Sequence, residues 1–301
     1  MLHLRTRKQR ITALAFSRDG RYLAAGGTGT RVDVWDFGAA GSEHTVLPFS
    51  ASHTATVLFT PANLLVTIAQ RALQLYDPAT ATLHPPVSTY GYDFPTGAAL
   101  SSDGTVLFTC WGVRTRRVDV SPNFLGRWKA TNIGPQHLAL YGWSGCFVNA
   151  AGRFVVPLNG SPPRRSWLRT FDPDTGKVVG EREYDVRLTD SFRVSPDGTT
   201  AAFLDARRLH AGPLTGSTFP PVAEVPDLPK TYHGVAFHPS GKWLVCGTET
   251  GVRVYETATW REAKVLAWDA GPLSVLAFDA DGSRAAGGGK TGTVVVWDWD
   301  L

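Results

Sequence analysis

The segment that decides the fold of this chain is AFSRDGRYLAAGGTGTRVDVWD, from Ala15 to Asp36. It recurs as VAFHPSGKWLVCGTETGVRVYE, from Val235 to Glu256, and as LAFDADGSRAAGGGKTGTVVVWD, from Leu276 to Asp298. Each copy has an apolar run, an Asp-Gly or Ser-Gly pair, a second apolar run, a Gly/Thr-rich turn and an alternating run that ends in an aromatic residue and an acid. Short apolar runs bounded by such turn residues predict strands joined by tight hairpins.

Four weaker copies lie between the first and the last two, which makes seven units. They are VLFTPANLLVTIAQRALQLYD from Val57 to Asp77, ALSSDGTVLFTCWGVRTRRVD from Ala99 to Asp119, CFVNAAGRFVVPLNGSPPRRSWLRTFD from Cys146 to Asp172, and FRVSPDGTTAAFLDARRLHAG from Phe192 to Gly212. The glycine of the first turn falls at Gly20, Gly104, Gly152, Gly198, Gly241 and Gly282, and Asn63 takes its place in the second unit. The spacing averages about 44 residues, within the ~40–45 typical of repeats that each build one four-stranded sheet.

The last unit lacks one strand. Each unit supplies three strands and then a fourth after its acidic residue, but the chain stops at Leu301 before the last unit can form its fourth. Residues 2–7 are the spare strand, so we expect them to complete the last sheet and remove an exposed edge. Small sheets bury both faces by packing radially. The sequence therefore predicts an all-β fold in one domain, residues 1–301: a seven-bladed β-propeller of four-stranded antiparallel blades, closed by the N-terminal strand in the C-terminal blade.

Dipeptides at the ends of the third strands carry a family resemblance. Trp35-Asp36 and Trp297-Asp298 end the first and last units, and Tyr76-Asp77, Phe171-Asp172 and Tyr255-Glu256 are conservative versions of the same pair. The repeats resemble the WD-repeat family, in a bacterial-type form whose third to fifth copies are degenerate. With the four strands of a blade called a to d in chain order, the resemblance implies that the b–c loops share one face with the loops that precede strand a.

Two positions depart from the pattern of that family. Where the family has Gly-His ahead of strand a, the last unit has Trp268-Asp269 and the first has Arg7. Where the family has Asp between strands b and c, this chain has threonines nearby, at Thr28, Thr250 and Thr291. The Asp-His-Ser-Trp hydrogen-bond chain of the family is therefore not expected, and we expect apolar packing to hold the blades together.

The bulk properties indicate an ordinary globular protein. The net charge of +4 is modest and bears on solubility rather than on fold. The three cysteines (Cys110, Cys146 and Cys246) form no CxxC pair and no disulfide framework, which favours a reducing compartment. The N-terminus has no apolar leader, and no stretch approaches the ~18 apolar residues of a membrane-spanning helix. We therefore expect a cytoplasmic monomer that does not bind membranes.

The chain carries no strong catalytic or metal-binding pattern. It has no GxSxG or HExxH motif, and its eight histidines are scattered. The glycine-rich turns precede no helix that would bind phosphate, and the aspartates at strand ends are typical turn formers. We therefore expect no enzyme, no cofactor and no metal. The alternative is a propeller-fold hydrolase or lactonase with an axial metal site, which requires His, Asp, Glu or Asn converging at the axis.

A set rich in arginine and tryptophan is the candidate site. The b–c segments of the third to fifth units carry Trp111, Arg114, Arg116, Arg164, Arg165, Trp167, Arg207 and Arg208, and the stretches between units add Tyr232, His233, Trp268 and Asp269 to the same face. Arginine presents a planar fork to carboxylates, and both residue types are enriched at binding hot spots. The sequence therefore predicts a non-catalytic scaffold that binds a protein or acidic peptide. Solvated arginines and structural tryptophans are the plainer interpretation, and single-stranded nucleic acid stacked on the aromatic rings is the alternative ligand.

Overall fold

The computed structural model describes residues 1–6, 10–38, 43–48, 54–69, 72–88, 95–101, 103–111, 114–119, 130–133, 140–141, 146–160, 165–189, 191–229, 234–268 and 271–300. Its strands are β1 (Leu2–Arg5), β2 (Ile11–Phe16), β3 (Tyr22–Gly27), β4 (Arg31–Asp36), β5 (Glu43–Pro48), β6 (Thr54–Phe59), β7 (Leu65–Ala69), β8 (Ala72–Asp77), β9 (Thr82–Leu83) and β10 (Val87–Ser88). They continue as β11 (Pro95–Leu100), β12 (Val106–Trp111), β13 (Arg114–Asp119), β14 (Ala130–Ile133), β15 (Leu140–Tyr141), β16 (Phe147–Val148), β17 (Phe154–Gly160), β18 (Ser166–Phe171), β19 (Val178–Tyr184) and β20 (Arg193–Val194). The remainder are β21 (Thr200–Asp205), β22 (Arg208–Pro213), β23 (Pro221–Glu224), β24 (Val235–Phe237), β25 (Trp243–Gly247), β26 (Gly251–Glu256), β27 (Glu262–Ala267), β28 (Leu273–Phe278), β29 (Arg284–Gly289) and β30 (Thr293–Asp298).

These strands form seven antiparallel sheets that follow one another along the chain. Sheets 1, 3, 5 and 6 are β2–β5, β11–β14, β20–β23 and β24–β27, each in chain order. In sheet 2, β6, β7 and β8 are followed by a fourth strand split into β9 and β10. In sheet 4, the first strand is split into β15 and β16 and precedes β17, β18 and β19. The names a to d hold for the four positions in each sheet.

Two compact units contain these sheets. The first unit, Met1–Tyr90 with Val225–Leu301, contains sheets 6, 1 and 2 together with sheet 7, which is formed by β28–β30 and β1, and the second, Gly91–Glu224, contains sheets 3, 4 and 5. Apolar residues fill the spaces between neighbouring sheets of a unit. Ile11, Leu23 and Val294 are fully buried in one such cluster of the first unit. Phe192 and Phe203 are fully buried in a cluster of the second unit, between sheets 4 and 5.

The N-terminal strand completes the last sheet, as the strand count predicts. Sheet 7 has the order β1–β30–β29–β28, and β1 pairs antiparallel with β30 with Leu4 opposite Val294. Thr6 continues the contact, because its backbone N–H and its hydroxyl both donate to the carbonyl of Gly292 at 2.9 Å. Leu4 is 6% exposed and belongs to the apolar cluster between sheets 7 and 1. The N-terminal strand therefore completes the sheet and contributes one side chain, Leu4, to the core.

The predicted turn glycines lie in the conformation that glycine favours. The φ angles of Gly20, Gly104, Gly152, Gly198, Gly241 and Gly282 lie between 68° and 78°, and that of Asn63 is 60°. A serine two residues ahead of an aspartate closes several of these a–b turns. The Ser101 hydroxyl donates to Asp103 at 2.5 Å, and the backbone N–H of Val106 donates to the Ser101 hydroxyl at 2.9 Å. The hydroxyl lowers the pKa of Asp103 below its usual value, because it stabilises the ionised carboxylate.

Neighbouring a–b turns also bond to each other. In the first unit, the backbone N–H of Arg18 donates to the Asn63 side chain at 3.0 Å, and the Arg284 guanidinium donates to the carbonyl of Gly20 at 2.5 Å. In the second unit, the N–H of Ala150 donates to the carbonyl of Gly198 at 3.1 Å. A Cβ atom at Gly198 would lie 2.1 Å from that same N–H. Gly198 is therefore required both by its positive φ and by the close approach of sheet 4.

Polar side chains add to the apolar packing that the sequence led us to expect. In the second unit, the Ser166 hydroxyl donates to the Asn159 side chain at 2.5 Å, and the Asn159 amide donates to the carbonyl of Leu188 at 2.8 Å. Both polar side chains are buried. In the first unit, the buried carboxylate of Asp33 lies 2.8 Å from the His44 ring. Buried hydrogen bonds therefore supplement the apolar clusters between the sheets, and they come from side chains outside the positions of the expected Asp-His-Ser-Trp chain.

Candidate functional site

The predicted b–c turns lie where the sequence places them. In the second unit, Trp111 ends β12 and Arg114 begins β13, Arg165 immediately precedes β18, and Arg207 lies in the turn that leads into Arg208, the first residue of β22. Arg116 and Trp167 are exceptions, since they lie inside β13 and β18, opposite Thr109 and Leu158. Their assignment to turns was wrong. The b–c segments of these units gave no clear signal for the first residue of the third strand.

Several predicted site residues lie outside the described residues. They are Arg164, Tyr232, His233 and Asp269, together with the side chains of Trp111, Arg114 and Arg116. The members of the set whose side chains are described are Arg165, Trp167, Arg207, Arg208 and Trp268.

Sheets 4 and 5 carry their b–c turns at the same end of the second unit. Their a–b turns touch through the bond from Ala150 to Gly198. In both sheets strand b runs from the a–b turn to the b–c turn. Near the b–c end of β17, the side-chain amide of Asn159 donates to the carbonyl of Leu188, which lies in the connection to sheet 5. The turns that hold Arg165 and Arg207 therefore lie on neighbouring sheets, at the end of the unit opposite the a–b turns.

The charges at this end differ from one arginine to the next. Arg165 forms an ion pair with Glu183 at 2.8 Å, with 60% and 46% of the two side chains exposed. Arg207 and Arg208 are exposed and have no hydrogen bond or ion pair from their side chains to any described residue. An exposed ion pair contributes only ~0–1 kcal/mol, so a carboxylate on a partner can replace Glu183 at little cost. Arg207 and Arg208 have no ion pair with a described residue that a ligand would first have to break, so their guanidinium groups are available to a ligand.

The two described tryptophans of the set contribute to apolar cores. Trp167 is partly buried against the cluster of Phe108, Phe154 and Phe171 between sheets 3 and 4. Trp268 belongs to the first unit, where its ring centroid lies 4.9 Å from that of Trp297. Each ring therefore stabilises the fold, which agrees with the plainer interpretation of the tryptophans.

The second unit contains a groove that no sequence pattern predicted. It lies between sheets 4 and 5, has a volume of about 510 Å³, and is named the β19 groove because Val179 to Arg182 of that strand line it. The a–b turn at Thr199 and the c–d turn at Leu214 form the other side. The Arg182 guanidinium donates across to the carbonyls of Thr215 and Gly216, the latter at 2.6 Å. No motif marks these residues, since strand d of sheet 4 and two turns of sheet 5 meet only in the folded chain.

Ionisable groups beside the groove keep ordinary roles. Asp197 accepts hydrogen bonds from the hydroxyls of Ser195 and Thr199, which lower the pKa of its carboxyl group. Burial raises the pKa of the Tyr184 phenol, the last residue of β19. Asp197 is therefore ionised and already hydrogen-bonded at neutral pH.

Among the described residues, no group of three or more His, Cys, Asp or Glu side chains is placed to hold a metal ion. In the same part of the chain, no helix is long and apolar enough to cross a membrane.

Comparisons with known proteins agree with this architecture. The family model of the WD domain, G-beta repeat, matches residues 2–36 and 231–256. The crystal structure of the Cps50 (Swd1) β-propeller domain of Myceliophteria thermophila superposes with a TM-score of 0.76 at 15% identity, over 99% of this chain and 100% of that one. The fold is an all-β, seven-bladed β-propeller. No curated protein sequence matches the chain. The predicted fold class is confirmed, and the WD-repeat resemblance is confirmed for the two matched segments.

Proposed function

We propose that this protein is a non-catalytic scaffold whose b–c turns in the second unit bind an acidic segment of a partner protein. The observation that carries the proposal is the adjacent pair Arg207 and Arg208, both exposed and without an ionic partner among the described residues. Arginine binds carboxylates through two parallel hydrogen bonds, which gives orientation as well as energy. Arg165, on the neighbouring b–c turn, extends the cationic surface.

The size of the expected effect follows from the chemistry of the pair. A hydrogen bond to a charged group contributes about 1.5–3 kcal/mol, which corresponds to roughly ten- to a hundredfold in affinity. Replacing both arginines by alanine removes two guanidinium groups and leaves β21 and β22 intact, because neither side chain is part of the core. We therefore expect the double variant to fold normally and to lose at least tenfold in affinity for the partner.

The test is affinity capture from the source cells with three baits: the wild-type chain, the variant R207A/R208A and the control R261A. Arg261 is an exposed arginine of the first unit, immediately before β27. The proposal predicts a nuclease-resistant partner with an acidic segment that wild type and R261A retain and the double variant loses. Equal retention by all three baits would refute it.

The same experiment separates the competing functions. Loss of the captured material after nuclease treatment, with a steep salt dependence, indicates single-stranded nucleic acid. Stoichiometric metal in the purified protein, without a reproducible partner, indicates a propeller-fold hydrolase or lactonase. Either result would replace the scaffold proposal.

We further propose that the protein acts in the cytoplasm as a monomer and as one domain over residues 1–301. The three cysteines are free and buried, which is typical of proteins in reducing compartments. Analytical ultracentrifugation measures the mass directly, and a value near 32.5 kDa is expected.

A further inference from the structure

The β19 groove has the dimensions and walls of a peptide site. Its volume of about 510 Å³ falls within the ~300–1,000 Å³ usual for binding pockets. Its lining contains both apolar and hydroxyl-bearing residues, with Val179 and Thr170 on the side of sheet 4 and Leu214 and Thr199 on the side of sheet 5. Val179 is 46% exposed, so its side chain is accessible to a ligand in the groove. Such a surface suits a ligand that presents both apolar and polar groups.

One wall of the groove is an open strand edge. β19 pairs with β18 on one side, and no strand among the described residues pairs with its other side. The open edge of a strand offers alternate N–H and C=O groups to an added strand. β19 spans seven residues, of which six are exposed. An extended segment lying along this edge forms a backbone ladder while its side chains enter the groove.

The charges lining the groove are predominantly positive. Arg153 is exposed and has no ion pair with any described residue, although it attracts the neighbouring carboxylate of Asp172. Glu181 is neutralised by Arg169 at 2.5 Å. The guanidinium of Arg182 bonds to carbonyl groups and keeps its positive charge. A carboxylate on the ligand therefore meets cations here, whereas an added cation meets no free anion among the lining residues.

The register of sheet 4 sets the length of the site. Arg182 lies opposite Leu168, and Leu168 lies opposite Pro157, four residues after Arg153. At ~3.3 Å per residue, the two arginines are separated by about 13 Å along the strands. β17 and β19 are also two strand spacings of ~4.8 Å apart, so the backbones of the two arginines are about 16 Å from each other, a distance that about five extended residues cover.

We propose that the β19 groove is a second binding site, distinct from the b–c turns, which takes an extended peptide segment as a strand added to β19, with an apolar side chain between Val179 and Leu214 and a carboxylate at Arg153. The site lies between sheets 4 and 5, away from the b–c end of the unit. It is therefore independent of the scaffold function proposed for Arg207 and Arg208. The two sites together allow one acidic partner to be held at two points, or two partners at once.

Gly180 provides a way to fill the groove without disturbing the fold. A Cβ atom there would meet only Thr170, at the ordinary distance of 3.8 Å, and the backbone has no positive φ. Tyrosine is favoured in strands, so Gly180→Tyr is expected to fold and to occupy the space beside Thr170. Val265→Tyr is the matched control, since Val265 is 48% exposed on β27, the fourth strand of sheet 6.

The probe is a phage-displayed library of random ten-residue peptides, selected on the full wild-type chain after depletion on the Gly180→Tyr variant. Folding of each variant is checked by circular dichroism and thermal unfolding. We expect enriched peptides with alternating apolar and acidic residues and no central proline, since proline removes an N–H from the ladder. Synthetic copies should bind wild type, V265Y and R207A/R208A equally, and G180Y and Arg153→Glu at least tenfold more weakly.

Three results would overturn the proposal. They are the absence of any enriched peptide, equal binding of the enriched peptides to G180Y and wild type, and enrichment of basic rather than acidic sequences. None of them bears on the b–c turn site, whose test uses other residues and another readout.

Discussion

Replacing Gly198 by alanine should cost the protein much more stability than the same replacement at Gly152. Both glycines close an a–b turn of the second unit, with φ angles of 68° and 69°. At either position alanine pays about 1–2 kcal/mol for the left-handed conformation. At Gly152 nothing lies within 4 Å of the added Cβ, whereas at Gly198 it would lie 2.1 Å from Ala150 N and 2.3 Å from Asn149 C.

The extra cost at Gly198 can be worked from that contact. The two a–b turns must separate by more than 1 Å to reach the ordinary contact distance of ~3.4 Å and above. The separation breaks the hydrogen bond from Ala150 to Gly198, which contributes about 0.5–1.5 kcal/mol, and loosens the packing beside it. We therefore expect Gly198→Ala to lower the free energy of unfolding by about 3 kcal/mol or more, and Gly152→Ala by about 1–2 kcal/mol.

Urea unfolding followed by tryptophan fluorescence and circular dichroism measures both values on matched variants. Hydrogen exchange at the Ala150 amide adds a local readout, since the bond to Gly198 protects it. Equal losses for the two variants, with unchanged protection at Ala150, would show that sheets 4 and 5 do not approach as closely as this structure has them.

Three further outcomes are expected. Leu4→Ala should lower the free energy of unfolding by about 2–5 kcal/mol, because Leu4 is 6% exposed and the smaller side chain leaves a cavity between sheets 7 and 1. Urea unfolding measures this change, and a decrease in the free energy of unfolding below about 1 kcal/mol would mean that Leu4 is not part of the core. Stability should fall as the pH drops below about 4, because the pKa of the Asp103 carboxyl group is lower in the folded than in the unfolded chain. The ionised carboxylate stabilises the folded state at pH values above the pKa of the unfolded chain, and this stabilisation is lost on acidification. Thermal scans of wild type and Asp103→Asn from pH 3 to 6 test this, and parallel curves would contradict it. All three cysteines are buried, and burial raises the pKa of the Cys246 thiol, so a thiol reagent at pH 8 should label the native protein slowly and the unfolded protein at once.

Much of the fold was predictable because it depends on local chemistry. A tight hairpin needs a residue with a positive φ angle, and glycine at six a–b turns and asparagine at the seventh marked those positions in the sequence. The placement of β1 followed from counting strands, since an unpaired edge in the last sheet needs a partner. Irregular strands were harder: the split first strand of sheet 4 and the in-strand position of Trp167 carry no turn signal of their own.

The candidate site was only partly predictable. The sequence correctly placed Arg165 and Arg207 beside b–c turns, because turn residues mark those positions. It could not show that Glu183 pairs with Arg165, since those residues are brought together by the pairing of β18 and β19. Tryptophan in a loop and tryptophan in a core look alike in a sequence, and only packing assigned Trp167 and Trp268 to apolar clusters.

The sequence by itself determined the number of repeats, the a–b turn positions and the strand that completes the last sheet, because each depends on residues close in the chain or on a simple count of strands. Only the tertiary structure decided which arginines are free, which sheets touch through Gly198, and that β19 borders a groove with Thr199 and Leu214. The last two features arise where different repeats meet, and the first depends on strand pairing within one repeat. A repeat's own pattern encodes its strands and turns, whereas side-chain contacts between repeats depend on packing over long sequence separations, which no local pattern records.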